Sequence, residues 1–117
     1  MLADPGPARL TSAMLVGALT RRAQAAGGFV MVLRKGDETS GTILVQTLDR
    51  GRDSGLFERV PDYIAGGYRL TRCGPAAEEG AEAVSAYLER RRRTDPDLWL
   101  VELDIADAER FAAETIC

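Results

Sequence analysis

Phe29-Val30-Met31-Val32-Leu33 is apolar at every position and lies between Gly27-Gly28 and a polar stretch, Lys35-Gly36-Asp37-Glu38-Thr39-Ser40-Gly41. An unbroken apolar run of this length reads as a strand covered on both faces, and therefore as a central one. Thr42 to Leu48 follows as a second strand, rich in β-branched residues. Asp49 to Gly55 alternates in charge and contains Gly51 and Gly55, the pattern of a hairpin loop. Leu56 to Val60 makes a third strand, which Pro61 ends because proline has no amide for the ladder. Tyr63 to Gly67 then turns the chain into a fourth strand, Tyr68 to Arg72. Strands in direct succession, joined by short loops, predict an antiparallel meander.

Helical spacing appears on either side of this block. Thr11 or Ser12 offers an N-cap oxygen, and Met14, Leu15, Ala18, Leu19, Arg22, Ala23 and Ala26 recur at intervals of three and four up to Gly27-Gly28. Gly74-Pro75 opens a longer second helix with Ala77, Ala81, Val84 and Leu88 as its inner stripe, and Asp95-Pro96-Asp97 closes it. Leu98 to Leu103 is a fifth strand, apolar enough to require cover, with its place and direction left open. Asp104 is expected to cap a short last helix whose inner face is Ile105, Ala108, Phe111 and Ala112. The order is α-β-β-β-β-α-β-α. Helices outside a meander of four or five antiparallel strands define an α+β fold. Residues 1–117 read as a single domain, and residues 1–9, with Pro5, Gly6 and Pro7, as a loose tail.

Three segments spaced along this chain carry a resemblance. They are Ala25-Ala26-Gly27-Gly28-Phe29 through Leu33-Arg34-Lys35-Gly36-Asp37, Leu56-Phe57-Glu58-Arg59-Val60-Pro61, and Arg91-Arg92-Arg93-Thr94-Asp95-Pro96-Asp97-Leu98-Trp99 through Glu102-Leu103-Asp104. Together they resemble domain-of-unknown-function family number 1491, small proteins found mainly in alphaproteobacteria. The resemblance implies a bacterial cytoplasmic protein of unassigned activity and carries no residue role.

Composition excludes more than it identifies. The chain has no histidine, which removes Ser-His-Asp and Cys-His nucleophile systems and histidine-built zinc sites. Phosphate-cradling and nucleophile-elbow motifs are missing. The net charge of −3 weighs against nucleic acid as a partner. Charge is unevenly spread, +3 over residues 1–94 and −6 over residues 95–117. The apolar run Ala13–Leu19 is too short to span a bilayer and is followed by Arg21-Arg22, where a secretory leader carries no basic pair. Cys73 and Cys117, far apart in sequence, read as reduced thiols, so a cytoplasmic location is expected, with no membrane association. Cys73 sits before a helix start, where a thiol can be activated; with no general base in view, an inert thiol is the simpler reading.

The groups that remain are carboxylates and arginines. Glu102 and Asp104 alternate onto one face near a strand end and form a candidate divalent-cation pair, against the plainer reading of Asp104 as a helix cap. Arg59 and Arg69 are expected to share one sheet face, opposite Val60 and Leu70, as an anion-binding candidate. Arg91 and Arg92 belong to a run of four arginines at the end of the second helix, scattered around its axis, with Glu89 expected to pair with Arg93. Trp99, in the middle of a strand, is expected in the core. Two functions follow. The first is a non-enzymatic binding or adaptor module with a protein partner or with itself, a homodimer included, and without a cofactor. The second is a small carboxylate- and arginine-based enzyme, or a domain that binds an anionic metabolite.

Overall fold

A computed structural model describes residues 10–117; the N-terminal tail expected at residues 1–9 lies outside them. Three α-helices, α1 (Ser12–Ala25), α2 (Ala81–Thr94) and α3 (Ala108–Ile116), accompany five strands, β1 (Phe29–Arg34), β2 (Ile43–Asp49), β3 (Arg52–Pro61), β4 (Tyr68–Arg72) and β5 (Trp99–Asp104). The fold is α+β, as the element order predicts, but the sheet is mixed. Its strand order is β1-β5-β2-β3-β4, with β5 parallel to β2 and the other pairs antiparallel. The meander is confined to β2, β3 and β4.

The reason lies in the connection between β1 and β2, which does not close a hairpin. Residues 35–42 instead wrap over Trp99. The Asp37 amide donates to Asp97 O at 3.0 Å, the Trp99 indole Nε1 donates to Asp37 O at 2.7 Å, and the Trp99 amide donates to Thr42 O at 2.8 Å. The same segment receives the first amides of α1, Ser12 N donating to Thr39 O and Ala13 N to Glu38 O. With β1 and β2 held apart, β5 enters between them, its apolar run covered on both sides. Gly41 is required by contact, because a Cβ there would overlap the Asp97 carbonyl and lie 2.9 Å from Trp99 Cδ1.

The sheet is the middle of three layers. On one face, Leu15, Val16, Leu19 and Ala23 of α1 and Ala108, Ala112 and Ile116 of α3 cover Ile43, Val45, Trp99, Val101 and Leu103. On the other, Tyr87 and Leu88 of α2 cover Leu44, Leu56, Leu98 and Leu100. Trp99 is core, as expected. Of the stripe expected on the second helix only Val84 is buried, and the helix does not begin at Pro75: a 3-10 turn, Ala77–Glu79, breaks at Gly80 (φ 96°) before α2 starts. The hairpin loop expected over Asp49–Gly55 contracts to two residues, Arg50 (φ 53°) and Gly51 (φ 81°), the doubly left-handed turn that matches strand twist. β3 therefore starts at Arg52, with an irregularity in its pairing where Thr47 meets Gly55 and Leu48 meets Asp53.

β1 departs most from expectation. It is an edge strand, paired with β5 alone.

Candidate functional site

The arginines and carboxylates singled out in the sequence do not gather into one site. Register places Arg59 opposite Leu70 and Val60 opposite Arg69, so Arg59 and Arg69 lie on opposite faces of the sheet. Arg59 turns toward the α3 side, where Nε donates to Ile116 O at 2.6 Å and the guanidinium stacks 3.6 Å from the centre of the Tyr68 ring. Burial lowers its pKa from the usual arginine value, and Tyr68 opposes that shift. Arg69 donates to Thr71 Oγ1 at 2.7 Å on the other face.

Arg91 points inward from α2, donating through Nη1 to Glu58 Oε1 at 3.0 Å and to the Tyr87 hydroxyl at 2.8 Å. The Glu58 hydrogen bond raises its pKa. It anchors α2 to β3. Arg92 is exposed and lines a crevice of about 130 Å³ with Arg34 and Glu89. Among the described residues the ion pairs are Lys35–Glu38, Arg91–Glu58 and Arg110–Glu114; the expected Glu89–Arg93 pair is not one of them. Cys73 is half-buried under α2, and burial pushes its thiol pKa up.

Glu102 and Asp104 do share a face of β5, opposite Met31 and Phe29 of β1. Asp104 does not cap α3, which begins behind Asp107 (φ 51°) with no side-chain cap. Its carboxylate instead accepts both amides of the β2–β3 turn, Arg50 N at 3.0 Å on Oδ1 and Gly51 N at 2.8 Å on Oδ2. Among the described residues, no group of three or more His, Cys, Asp or Glu side chains is placed to hold a metal ion.

Two other features stand out. The first is the outer edge of β1. Phe29 is 74% exposed, Met31 59%, Val32 42% and Leu33 45%, so four apolar side chains in five residues face solvent. Val30 and Val32 belong to the α1 and α3 side of the sheet, Phe29 and Met31 to the other. The pairing slips between Val32 and Arg34, at the basic end of the strand. Arg34 Nε is buried without a hydrogen-bond partner among the described residues.

The second is an open cleft of about 420 Å³ between the β2–β3 hairpin and the first half of α3. Its floor carries Thr47 and Ser54, whose hydroxyls are 2.8 Å apart, and Phe57. The Arg72 guanidinium lies 4.8 Å from the centre of the Phe57 ring. Gly55 (φ 155°) makes room for it, since a Cβ there would fall 2.9 Å from Arg72 Nη1. Sequence reading does not find this cleft: its residues come from two strands and a helix, with no motif linking them. The nearest signal is Gly55 next to Ser54, read as loop.

Comparison with known proteins places the chain. The model of a family described as "Protein of unknown function (DUF1491)" matches residues 10–113. The crystal structure of a DUF1491 family protein from Caulobacter crescentus CB15 is 35% identical and superposes with a TM-score of 0.74, covering 88% of this chain and 94% of that one. An NMR structure of a DUF1491 family protein from the same organism is 33% identical, with a TM-score of 0.71 over 90% of this chain and 94% of that one. The solution structure of protein Atu0922 from A. tumefaciens is 39% identical, with a TM-score of 0.63 over 84% and 87%. No curated protein matches the chain.

Proposed function

The chain belongs to the DUF1491 family of proteins of unknown function, and from that footing we propose that it is a non-enzymatic binding module that pairs through the free edge of β1, with a second copy of itself as the occupant. The exposed run Phe29, Met31, Val32 and Leu33 carries this reading. Edge strands of monomers are commonly blunted by lysine, proline or a bulge, because their free amides and carbonyls accept another strand. Here the one basic residue of β1, Arg34, and its register slip are at its far end, and its first five positions are apolar.

The strand is also complementary to itself. A two-fold axis through Met31 sets Met31 against its own copy and Val30 against Val32 of the partner subunit, so that each sheet face stays apolar across the seam. The same operation brings the Arg34–Lys35 end of one strand to the Phe29 end of the other, next to Asp104 and Glu102 on β5. A seam of six residues is short, roughly 20 Å, which fits association in the micromolar range rather than an obligate dimer.

The enzyme reading lacks support, because Arg59 and Arg69 diverge and Asp104 is engaged by the turn. The acidic net charge weighs against nucleic acid. No helix among the described residues is long and apolar enough to cross a membrane. Two free cysteines suit a reducing compartment, and we take the cytoplasm as the place of action. The seam is tested by trapping. Met31→Cys in a Cys73→Ser/Cys117→Ser background should oxidise to a covalent dimer, and Thr20→Cys on α1 should not. Equal trapping at both positions would reject the seam.

A further inference from the structure

We propose that the cleft between the β2–β3 hairpin and α3 binds a small zwitterion of the amino-acid type, independently of the β1 edge. The argument starts from Arg72. Its guanidinium is exposed, stacked on Phe57, and pairs with no carboxylate at ion-pair distance among the described residues. A planar guanidinium with free donors is suited to a carboxylate. Ser54, exposed, lines the same cleft; Thr47 gives its hydroxyl hydrogen to Gly55 O, so the Ser54 hydroxyl donates to Thr47 and keeps a lone pair to accept from a ligand's ammonium.

The opposite charge is also present. Asp49, Asp107 and Glu109 line the same cleft with Arg72 and Arg110, the last of which is already paired with Glu114. Three acids beside two arginines disfavour a dianion such as phosphate and favour a ligand that brings one negative and one positive group. Leu48, Ile105, Ala108 and Ala113 supply apolar wall between the polar groups. About 420 Å³ lies at the lower end of the range usual for small-molecule sites, a fit for an amino acid with an aliphatic side chain rather than a nucleotide.

The test is a titration of the ¹⁵N-labelled protein followed by amide chemical shifts, with L-leucine, acetate, methylamine and inorganic phosphate as separate probes. L-leucine should give saturable millimolar shifts at Thr47, Ser54 and Ala108. Acetate and methylamine, each carrying half of the ligand's charge, should bind at least about tenfold more weakly. Arg72→Ala should weaken L-leucine binding at least about tenfold, with Arg72→Lys intermediate; exposure of this side chain allows both variants to fold, which their spectra check directly. Acetate or phosphate binding as well as L-leucine would overturn the zwitterion assignment, and binding unaffected by Arg72→Ala, or no saturable shift with any probe, would overturn the site.

Discussion

Removing the Asp104 carboxylate should loosen the junction between β5 and the β2–β3 turn. Asp104 pairs in register with Leu48, and its two oxygens reach past it to the amides of Arg50 and Gly51. Both amides sit in left-handed residues at the centre of a two-residue turn, where the ladder provides no acceptor for them. Hydrogen bonds to a charged acceptor are worth roughly 1.5–3 kcal/mol when shielded; these are exposed, so about 1 kcal/mol each is the appropriate scale. Asp104→Ala therefore costs about 2 kcal/mol. Asp104→Asn keeps one acceptor oxygen and turns an amide NH₂ toward the other N–H, so it costs at least about 1 kcal/mol. An unfolding entropy of roughly 2.1 cal/mol/K per residue is about 0.25 kcal/mol/K for 117 residues, which converts 2 kcal/mol to about 8 °C in Tm. Thermal unfolding followed by circular dichroism reads both variants, with and without millimolar magnesium. An Asp104→Ala variant melting within about 2 °C of the parent would refute the clamp. A magnesium-dependent rise in the parent that Asp104→Asn abolishes would assign the carboxylate to a cation instead.

Two further outcomes follow from the loop over Trp99. Gly41→Ala forces a Cβ into the Asp97 carbonyl and against Trp99 Cδ1, so it should destabilise by about 3 kcal/mol and shift the tryptophan emission; an unchanged Tm and spectrum would mean that the loop yields easily. The amides of Ser40 and Thr39 hold the Asp37 carboxyl below its ordinary value of 3.8, despite some desolvation. A folded pKa below the unfolded one adds stability above the unfolded value, and that stability is lost as pH falls through the folded value. Acid unfolding of Asp37→Asn should therefore be shallower than that of the parent below about pH 4, and parallel curves would remove Asp37 from the acid response.

The alternation of helix and strand signals located every helix and strand core, because apolar spacing and glycine breaks are local. The apolar run Leu98–Leu103 signals that β5 needs cover, but its place and direction are not legible, because its partners β1 and β2 are far off in the chain. The same logic misplaces β1: an apolar run demands cover, and the sequence does not say whether the cover is the protein's own chain or another. Placing Arg59 and Arg69 on one face asks more than alternation gives, since it fixes only that each opposes its neighbour. Which of Arg69 and Leu70 joins Arg59 depends on the register across residues 62–67, set where Asp62 N donates to Gly67 O at 2.9 Å. Asp104 illustrates a third limit. A carboxylate before a helix fits a cap by spacing, but this one is taken by a turn 53 and 54 residues away in the chain. The cleft was illegible for the same reason, as it forms only when the hairpin and α3 meet.

Sedimentation equilibrium of the reduced protein over a range from low to high micromolar, beside Met31→Lys, tests the β1 edge most directly. A monomer–dimer equilibrium in the parent is the expected result. Met31→Lys should sediment as a monomer with an unchanged Tm, because position 31 is exposed within each copy and like charges would meet on the two-fold axis. A parent that stays monomeric throughout, or a dimer that Met31→Lys leaves intact, would contradict it.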